Sequence, residues 1–469
     1  MMKKNKKIIG LTFPGDNHLK VGLEPSVLCV LPHKENVEFC YDNRAFHDRT
    51  VENYFCSVYI TGFEEFKAWA KKHDKQKIIV GGYHPTMFPE QFLNYAEKII
   101  MGPCDDIEAT LGQEDVLYEK SYHDNGNFVE GKILKTMRHN PGMIRRFGEI
   151  TDSEKEKPSG KSEIFKDRIL PGVLTFKNTP LYHVYDITYN QQIIPDKRPD
   201  DPVTSINTSF GCFHNCEFCC SPVMFGNNMT CKPPDLLKRE VKILKERLER
   251  GSNGKKQKFM FIRDENFTFQ KDYREKLEII SKSGAKIYLF SSANTLTEEV
   301  VKTLAEHNVY LICLGLEDPQ KEYLKNRDLF GVVERLKKNG IFVYLSFIVD
   351  PLKVIDEDKE KEFYDLLYKK FEELRPEMVC GNFLMPFPGT PLWGKYAGLI
   401  NEEDFKYYDS KTPFLIKDRK IHDRTRKSMF EVQWKYYTSD LYNKEVRNFE
   451  TGDTLHLRFL ELKKEFTGY

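Results

Sequence analysis

No apolar run in this chain is long enough to cross a bilayer, since a spanning helix needs about 20 consecutive apolar residues. The basic start MMKKNKK followed by IIGLTF resembles the opening of a secretion signal, but Pro14, Gly15, Asp16 and Asn17 cut the run short. It is therefore predicted to be a first buried strand. An excess of one charge is also missing. Lys plus Arg number 72 and Asp plus Glu 71, a net charge of +1, so there is no global pull toward nucleic acid or an anionic membrane. A disulfide framework is absent too: of eleven cysteines, four crowd between Cys212 and Cys220 and the others stand singly. That usage points to reduced thiols and a cytoplasmic location. At 469 residues the chain has room for about two or three domains, each with its own core.

What the sequence does contain is concentrated in SFGCFHNCEFCCS, Ser209 to Ser221. Cys212, Cys216 and Cys219 fall in a C-x-x-x-C-x-x-C spacing, with Cys220 directly beside the last. Clustered thiolates suit an iron-sulfur cluster or zinc, and three ligands on a four-iron cluster leave one iron open to substrate. A structural zinc loop, with His214 or Cys220 as the fourth ligand, is the alternative. The spacing, with the aromatic Phe218 before the third cysteine, resembles the cluster motif of the radical S-adenosylmethionine (SAM) superfamily. That resemblance implies a 4Fe-4S cluster on Cys212, Cys216 and Cys219, SAM bound at the open iron, and reductive cleavage of SAM to a deoxyadenosyl radical.

Residues 1–112 alternate apolar runs and helical stretches, the pattern of an open parallel sheet covered by helices. Strands are predicted at Lys7 to Phe13, Val37 to Tyr41, Tyr54 to Ile60, Lys77 to Val80 and Lys98 to Met101, and helices at Glu64 to Lys72 and Pro89 to Ala96. Ligands of such sheets sit at the carboxyl ends of the strands, here GGYHPT (Gly81 to Thr86) and GPCDD (Gly102 to Asp106). The stretch Ile78 to Gly102 resembles the Rossmann-like cobalamin-binding domain that precedes the radical SAM domain in one large subfamily. The resemblance implies cobalamin as a further cofactor, with Gly81, Gly82 and His84 lining the cavity for its nucleotide tail. Asp16, His18 and Gly22 resemble the D-x-H-x-x-G signature of proteins that ligate cobalt through histidine, but the glycine is one residue late, and His18 reads as a loop residue. Gly102, Pro103 and Cys104 stand where the subfamily has Gly-Glu. A domain that keeps the fold without the cofactor is the alternative.

Residues 113–203 show weak periodicity, with Lys and Glu clustered around Ser153 to Lys161, and read as a linker containing some ordered segments such as Gly172 to Phe176. Tyr182, Tyr185 and Tyr189 lie in it. Across 204–392 strand and helix alternate in six units, which predicts a parallel sheet curled into a partial (β/α)6 barrel with its active groups at strand carboxyl ends. The cysteine stretch follows the first strand. FIRDENFTF ends the second, and Asp264 and Glu265 resemble the family's acidic partners for the SAM ammonium. GLEDP ends the fourth, where Glu317 resembles the carboxylate facing SAM. Ser291, Ser292 and Asn294 after the third strand and Ser346 in the fifth are further candidates for SAM contacts. PFPGTPL, Pro386 to Leu392, resembles the family's P-x-P-G-T-P segment and reads as a rigid turn at the barrel rim; Val349, Asp350 and Pro351 depart from the usual Gly-x-Pro. Residues 393–469 read as a helical C-terminal region whose aromatic and basic residues serve packing.

The resemblance as a whole implies an α/β enzyme that uses a 4Fe-4S cluster, SAM and cobalamin to methylate an unactivated carbon. A flavodoxin or ferredoxin would supply electrons, and a small molecule or peptide would be the substrate. Two alternatives stand beside it: a radical SAM enzyme that cyclises, oxidises or rearranges its substrate without methylation, and a zinc-stabilised binding module.

Overall fold

The computed structural model describes residues 7–13, 37–40, 51–104, 107–120, 122–124, 127–129, 131–133, 163–165, 168–172, 203–225, 229–250 and 259–446. His18, Asp16, Gly22, the three tyrosines at 182, 185 and 189, and Val173 to Phe176 lie outside them. The described residues fall into two compact units. One comprises those within Met1–Lys197, Gly211–Met229 and Pro386–Asp409; the other comprises those within Arg198–Phe210, Thr230–Met385 and Ser410–Tyr469.

In the first unit β1 (Lys7–Phe13), β2 (Val37–Cys40), β3 (Val51–Val58), β4 (Ile78–Gly81), β5 (Lys98–Met101) and β6 (Ile169–Pro171) form one sheet in the order β6-β5-β4-β3-β1-β2, parallel throughout. The order reverses at β1, and such a reversal opens a crevice at the carboxyl edge of a doubly wound sheet. Helix Phe63–Ala70 covers one face because Phe63, Phe66, Trp69 and Ala70 recur at helical spacing and are all buried. They pack with Leu11, Phe13, Tyr54 and Val58 of the sheet. The predicted helix from Pro89 to Ala96 is instead a 3-10 turn, Pro89–Phe92, that stops short. The backbone there closes in tight i to i+3 turns, Leu93 N–H to the Glu90 carbonyl and Tyr95 N–H to the Phe92 carbonyl, and the Glu97 N–H leaves for the Ile78 carbonyl of β4 at 2.8 Å. The stretch expected as a linker supplies β6 to the sheet. It also supplies all three strands of a small antiparallel ribbon, in which Tyr118–Glu119 pairs with Ile164–Phe165 and Lys132–Ile133.

In the second unit β7 (Val203–Ile206), β8 (Phe259–Ile262), β9 (Lys286–Phe290), β10 (Val309–Glu317), β11 (Phe342–Val349) and β12 (Met378–Phe383) lie in strict sequence order, all parallel, as a half-barrel. Helices Pro234–Arg250, Tyr273–Ser281, Glu298–Glu306, Leu329–Lys338 and Glu357–Leu374 make the crossovers. Alternate strand residues such as Ile262, Leu289, Leu345, Val379 and Phe383 join the helices in one apolar core. The opposite face carries Phe259, Tyr288, Leu311 and Met378, with Phe261, Tyr310, Phe342 and Tyr344 against them, as a separate aromatic cluster. Helix Arg419–Tyr437 closes over β12. A Cβ on Gly381 would come within 2.5 Å of Phe347 and 2.9 Å of Met429, so glycine is what lets this helix approach. Gln433 and Tyr437 of that helix accept from the Gly381 and Val379 backbone N–H groups.

Candidate functional site

The two units contribute separate sets of groups. In the second unit the acidic pair at the end of β8 divides. Asp264 is fully buried, and both carboxylate oxygens are taken. Oδ1 accepts from the Thr208 backbone N–H at 2.6 Å; Oδ2 accepts from the Thr208 hydroxyl, from Ser209 Oγ at 2.7 Å and from Gln270 Nε2 at 2.8 Å. Burial raises its pKa, and the hydrogen bonds from Thr208 and Ser209 oppose the rise. The expectation that Asp264 meets a ligand ammonium is therefore corrected: the carboxylate is spent on its own strand ends. Glu265, the next residue, is half-buried.

Ser291 and Ser292 follow β9 inside a hydroxyl network. Thr268 Oγ1 lies 2.5 Å from Ser291 Oγ and from Thr295 Oγ1, Asn266 Nδ2 donates to Ser292 Oγ at 2.8 Å, and Ser292 donates to Asn294 Oδ1 at 2.7 Å. Thr268 and Asn266 were not singled out from the sequence. Their polar spacing after β8 is the only signal they give.

Glu317 ends β10 with φ +62°, a left-handed backbone that costs a non-glycine residue about 1 kcal/mol or more and concentrates at functional sites. The β10 register with β11 slips between Gly315 and Glu317, and the buried carboxylate pairs with Lys325. Gly315 makes room for it, since a Cβ there would meet Glu317 Oε1 at 2.0 Å. Ser346, half-buried in β11, stands in register with Gly315 on one side and Cys380 on the other.

In the first unit Cys212 is buried and Cys216, Cys219 and Cys220 are half-buried. The Cys219 N–H donates to the Cys216 carbonyl at 3.0 Å, a tight turn that holds these thiols near one another. Burial first, then the neighbouring thiols Cys220, Cys216 and Cys212, push the Cys219 thiol well above its usual range. Crowded thiols of this kind give up their protons when a cation joins them. Sulfur donors of this kind suit a soft cation, although among the described residues no three His, Cys, Asp or Glu side chains close into a ready ligand set.

At the carboxyl edge of β4, Gly82 has φ +105° and ψ −168°, a region open essentially to glycine alone. Gly81 is half-buried. His84 differs from the expected cavity-lining residue: it is fully buried, ringed by Phe63, Phe88, Phe92 and Phe405 at 4.6 to 5.7 Å between centroids, with Nε2 2.7 Å from Gln91 Oε1. Burial lowers its pKa to about 4, so the imidazole is neutral at pH 7 and braces the loop from beneath.

PFPGTPL connects these pieces within the first unit. Phe387 meets Tyr83 of the glycine loop edge-on, with ring centroids at 5.4 Å, and the Leu392 N–H donates to the Glu217 carbonyl of the cysteine segment at 3.2 Å. Thr390 caps the following helix, Pro391–Tyr396, by accepting from the Trp393 N–H. The segment read from the sequence as a barrel rim thus ties the glycine loop to the cysteines.

Residues 206–367 match the Radical SAM superfamily. This stretch is a radical SAM domain, and the cofactors such a domain implies are a 4Fe-4S cluster and SAM. Ahead of that domain in sequence lies the doubly wound, Rossmann-like sheet, so the fold is that of solved cobalamin-binding radical SAM enzymes. The chain is 23% identical over 401 residues to bacteriochlorophyllide d C-8(2)-methyltransferase of Chlorobaculum tepidum, covering 82% of this chain and 75% of that protein. Bacteriochlorophyllide d C-12(1)-methyltransferase of the same organism is 29% identical over 213 residues, covering 43% of this chain and 44% of the relative. The radical SAM methyltransferase TsrM of Kitasatospora setae, solved with cobalamin and a 4Fe-4S cluster, shares the fold. Its TM-score is 0.52 at 14% identity, over 82% of this chain and 77% of that one. Among the described residues no helix is long and apolar enough to cross a membrane.

Proposed function

We propose that this protein is a cobalamin-dependent radical SAM methyltransferase that places a methyl group on an unactivated carbon of a small-molecule substrate. Cys212, Cys216 and Cys219 hold the cluster. Ser291, Glu317 and Ser346, with Glu265, line the strand ends that receive SAM, and Gly81 and Gly82 let the backbone of the glycine loop come close to the corrin. When bound, the cluster supplies the electron that cleaves SAM, and the corrin supplies the methyl group. The chain's own part is to hold these groups, present neutral rather than charged side chains beneath the glycine loop, and keep water out. A flavodoxin or ferredoxin in the cytoplasm delivers the electrons.

The observation that carries this reading is the bridge made by residues 386–392. It fastens the glycine loop and the cysteine segment into one unit, as an enzyme needs if its corrin and its cluster serve the same substrate. The test is anaerobic purification and reconstitution with iron, sulfide and hydroxocobalamin, followed by desalting. Retention of corrin absorption with about four irons per chain, and formation of both S-adenosylhomocysteine and deoxyadenosine with an acceptor substrate, is the expected result. Iron and sulfide without corrin, and deoxyadenosine alone, would replace it with a non-methylating radical reaction; zinc without sulfide would remove both.

A further inference from the structure

Beneath the cysteine segment's point of departure the second unit buries an unusual set of charges. The chain enters the segment through Ser209–Phe210 and leaves it through Thr230–Cys231, and these two short strands pair antiparallel, Ser209 with Cys231 and Phe210 with Thr230. They form the stem. The polar groups of the network below grip that stem or the residue next to it, directly or through one another. Asp264 takes the Thr208 N–H, the Thr208 hydroxyl and the Ser209 hydroxyl. The Thr208 carbonyl accepts from the Lys232 N–H at 2.7 Å and from Lys276 Nζ at 3.3 Å. Lys276 Nζ also donates to Gln270 Oε1 at 2.6 Å, pairs with Asp272 at 3.2 Å and reaches the Cys231 thiol. Gln270 returns to Asp264 at 2.8 Å. One residue beyond the stem, Lys232 pairs with Glu240, both side chains fully buried.

Such charges are costly to bury, and an apolar contact of similar volume would hold the fold as well or better. The surroundings show that alternative in place. Leu277 and Ile280, on the same helix as Lys276, join the apolar core together with Ile206, Ile262 and Leu237. Lys276 is fully buried and turned to the stem instead.

We propose that this network is a clamp on the stem of the cysteine segment, in which Asp264, Thr208, Gln270 and Lys276 act as positioning residues. They lock the two points between which the thiols are presented, so that Cys212, two residues past the stem, is delivered in a fixed place. The proposal rests on the reading of Cys212, Cys216 and Cys219 as cluster ligands for its purpose, but its geometry belongs to the apo chain and is tested there.

The experiment compares wild type with Thr208→Val, Thr208→Ser and Asp264→Asn. In the full-length apo protein, iodoacetamide labelling of Cys212, Cys216 and Cys219 is followed by mass spectrometry, with the buried thiol of Cys313 as an internal check that the second unit is folded. In reconstituted protein, iron loss to a chelator is followed by absorbance. The clamp predicts that Thr208→Val and Asp264→Asn raise Cys212 labelling and iron loss about ten-fold or more, the local opening that a lost hydrogen bond to a charged group permits. Thr208→Ser, which keeps the hydroxyl, stays near wild type, and Cys313 stays protected. Equal labelling of Thr208→Val and Thr208→Ser overturns the clamp. So does exposure of Cys313 in step with Cys212, because the network would then support the fold in general. If wild type retains no iron, the cluster reading fails while the labelling arm still decides the clamp.

Discussion

The two sheets of this chain are built from the same β/α unit, yet they treat polar groups at their carboxyl edges in contrasting ways. Beside β4 of the doubly wound sheet the buried polar side chain is His84, kept neutral inside a shell of four phenylalanine rings. Beside β8 of the half-barrel it is Asp264, kept in place by hydrogen bonds from Thr208, Ser209 and Gln270. The first edge is stiffened by apolar packing and a glycine backbone, the second by a charged network. Position at a strand end therefore does not by itself make a polar residue a ligand contact. Whether its hydrogen-bonding capacity is already spent decides that.

The largest effect expected concerns the thiols themselves. Replacing Cys212, Cys216 and Cys219 by serine should reduce retained iron and acid-labile sulfide from about four per chain to background. Serine at Cys220 should leave both in place, as metal analysis would show. Next comes the charged edge. Asp264→Asn puts an amide donor against several donors and should open the chain locally at Thr208 and Ser209, readable as about ten-fold faster exchange of the Thr208 backbone amide at a nearly unchanged urea midpoint.

The neutral edge has its own signature in pH. The folded pKa of His84 is lowered from 6.5 to about 4, so the unfolded chain binds a proton that the folded chain refuses. Its stabilising effect is complete above about pH 6.5 and is lost as pH falls from there to about 4. The loss amounts to about 3 kcal/mol at 1.36 kcal/mol per unit. His84→Gln should flatten that part of the urea stability profile, and an unchanged slope would contradict the burial argument. The smallest effect is at the backbone. Gly82→Ala forces a side chain into a glycine-only conformation, with its Cβ 3.3 Å from Ser57 Oγ, and should cost about 2 kcal/mol.

Much of the fold was legible because strands here are apolar runs bounded by turn residues. Lys7–Phe13 and Lys98–Met101 stand where the sequence placed them. The expected helix from Pro89 to Ala96 misread a 3-10 turn, since the chain beyond it is drawn to the Ile78 carbonyl, 19 positions upstream of Glu97. Nor was the fate of Asp264 legible. An Asp-Glu pair after a strand looks the same whether it faces a ligand or two hydroxyls that arrive from 55 and 56 residues upstream. The hydroxyl doublet Thr208–Ser209 just ahead of the cysteines was the available hint. PFPGTPL was recognisable as a rigid turn from its prolines and glycine. Its contact with Tyr83, across some 300 residues, could come only from the folded chain.

The interleaving of the two units in sequence also bears on how the protein is made. The first unit takes its last strap from Pro386–Asp409, so a ribosome that has finished residue 197 has not yet supplied all of it. At about 5–20 residues per second the wait is on the order of ten to forty seconds, during which the Trp393 and Phe405 side chains that cover Phe88 do not yet exist. Nascent chains arrested near residue 200 should bind a chaperone through that bare aromatic surface, and chains arrested well past 409 should not; equal capture of both would mean that the surface is shielded some other way. For this protein, order of synthesis and order of completion are different things.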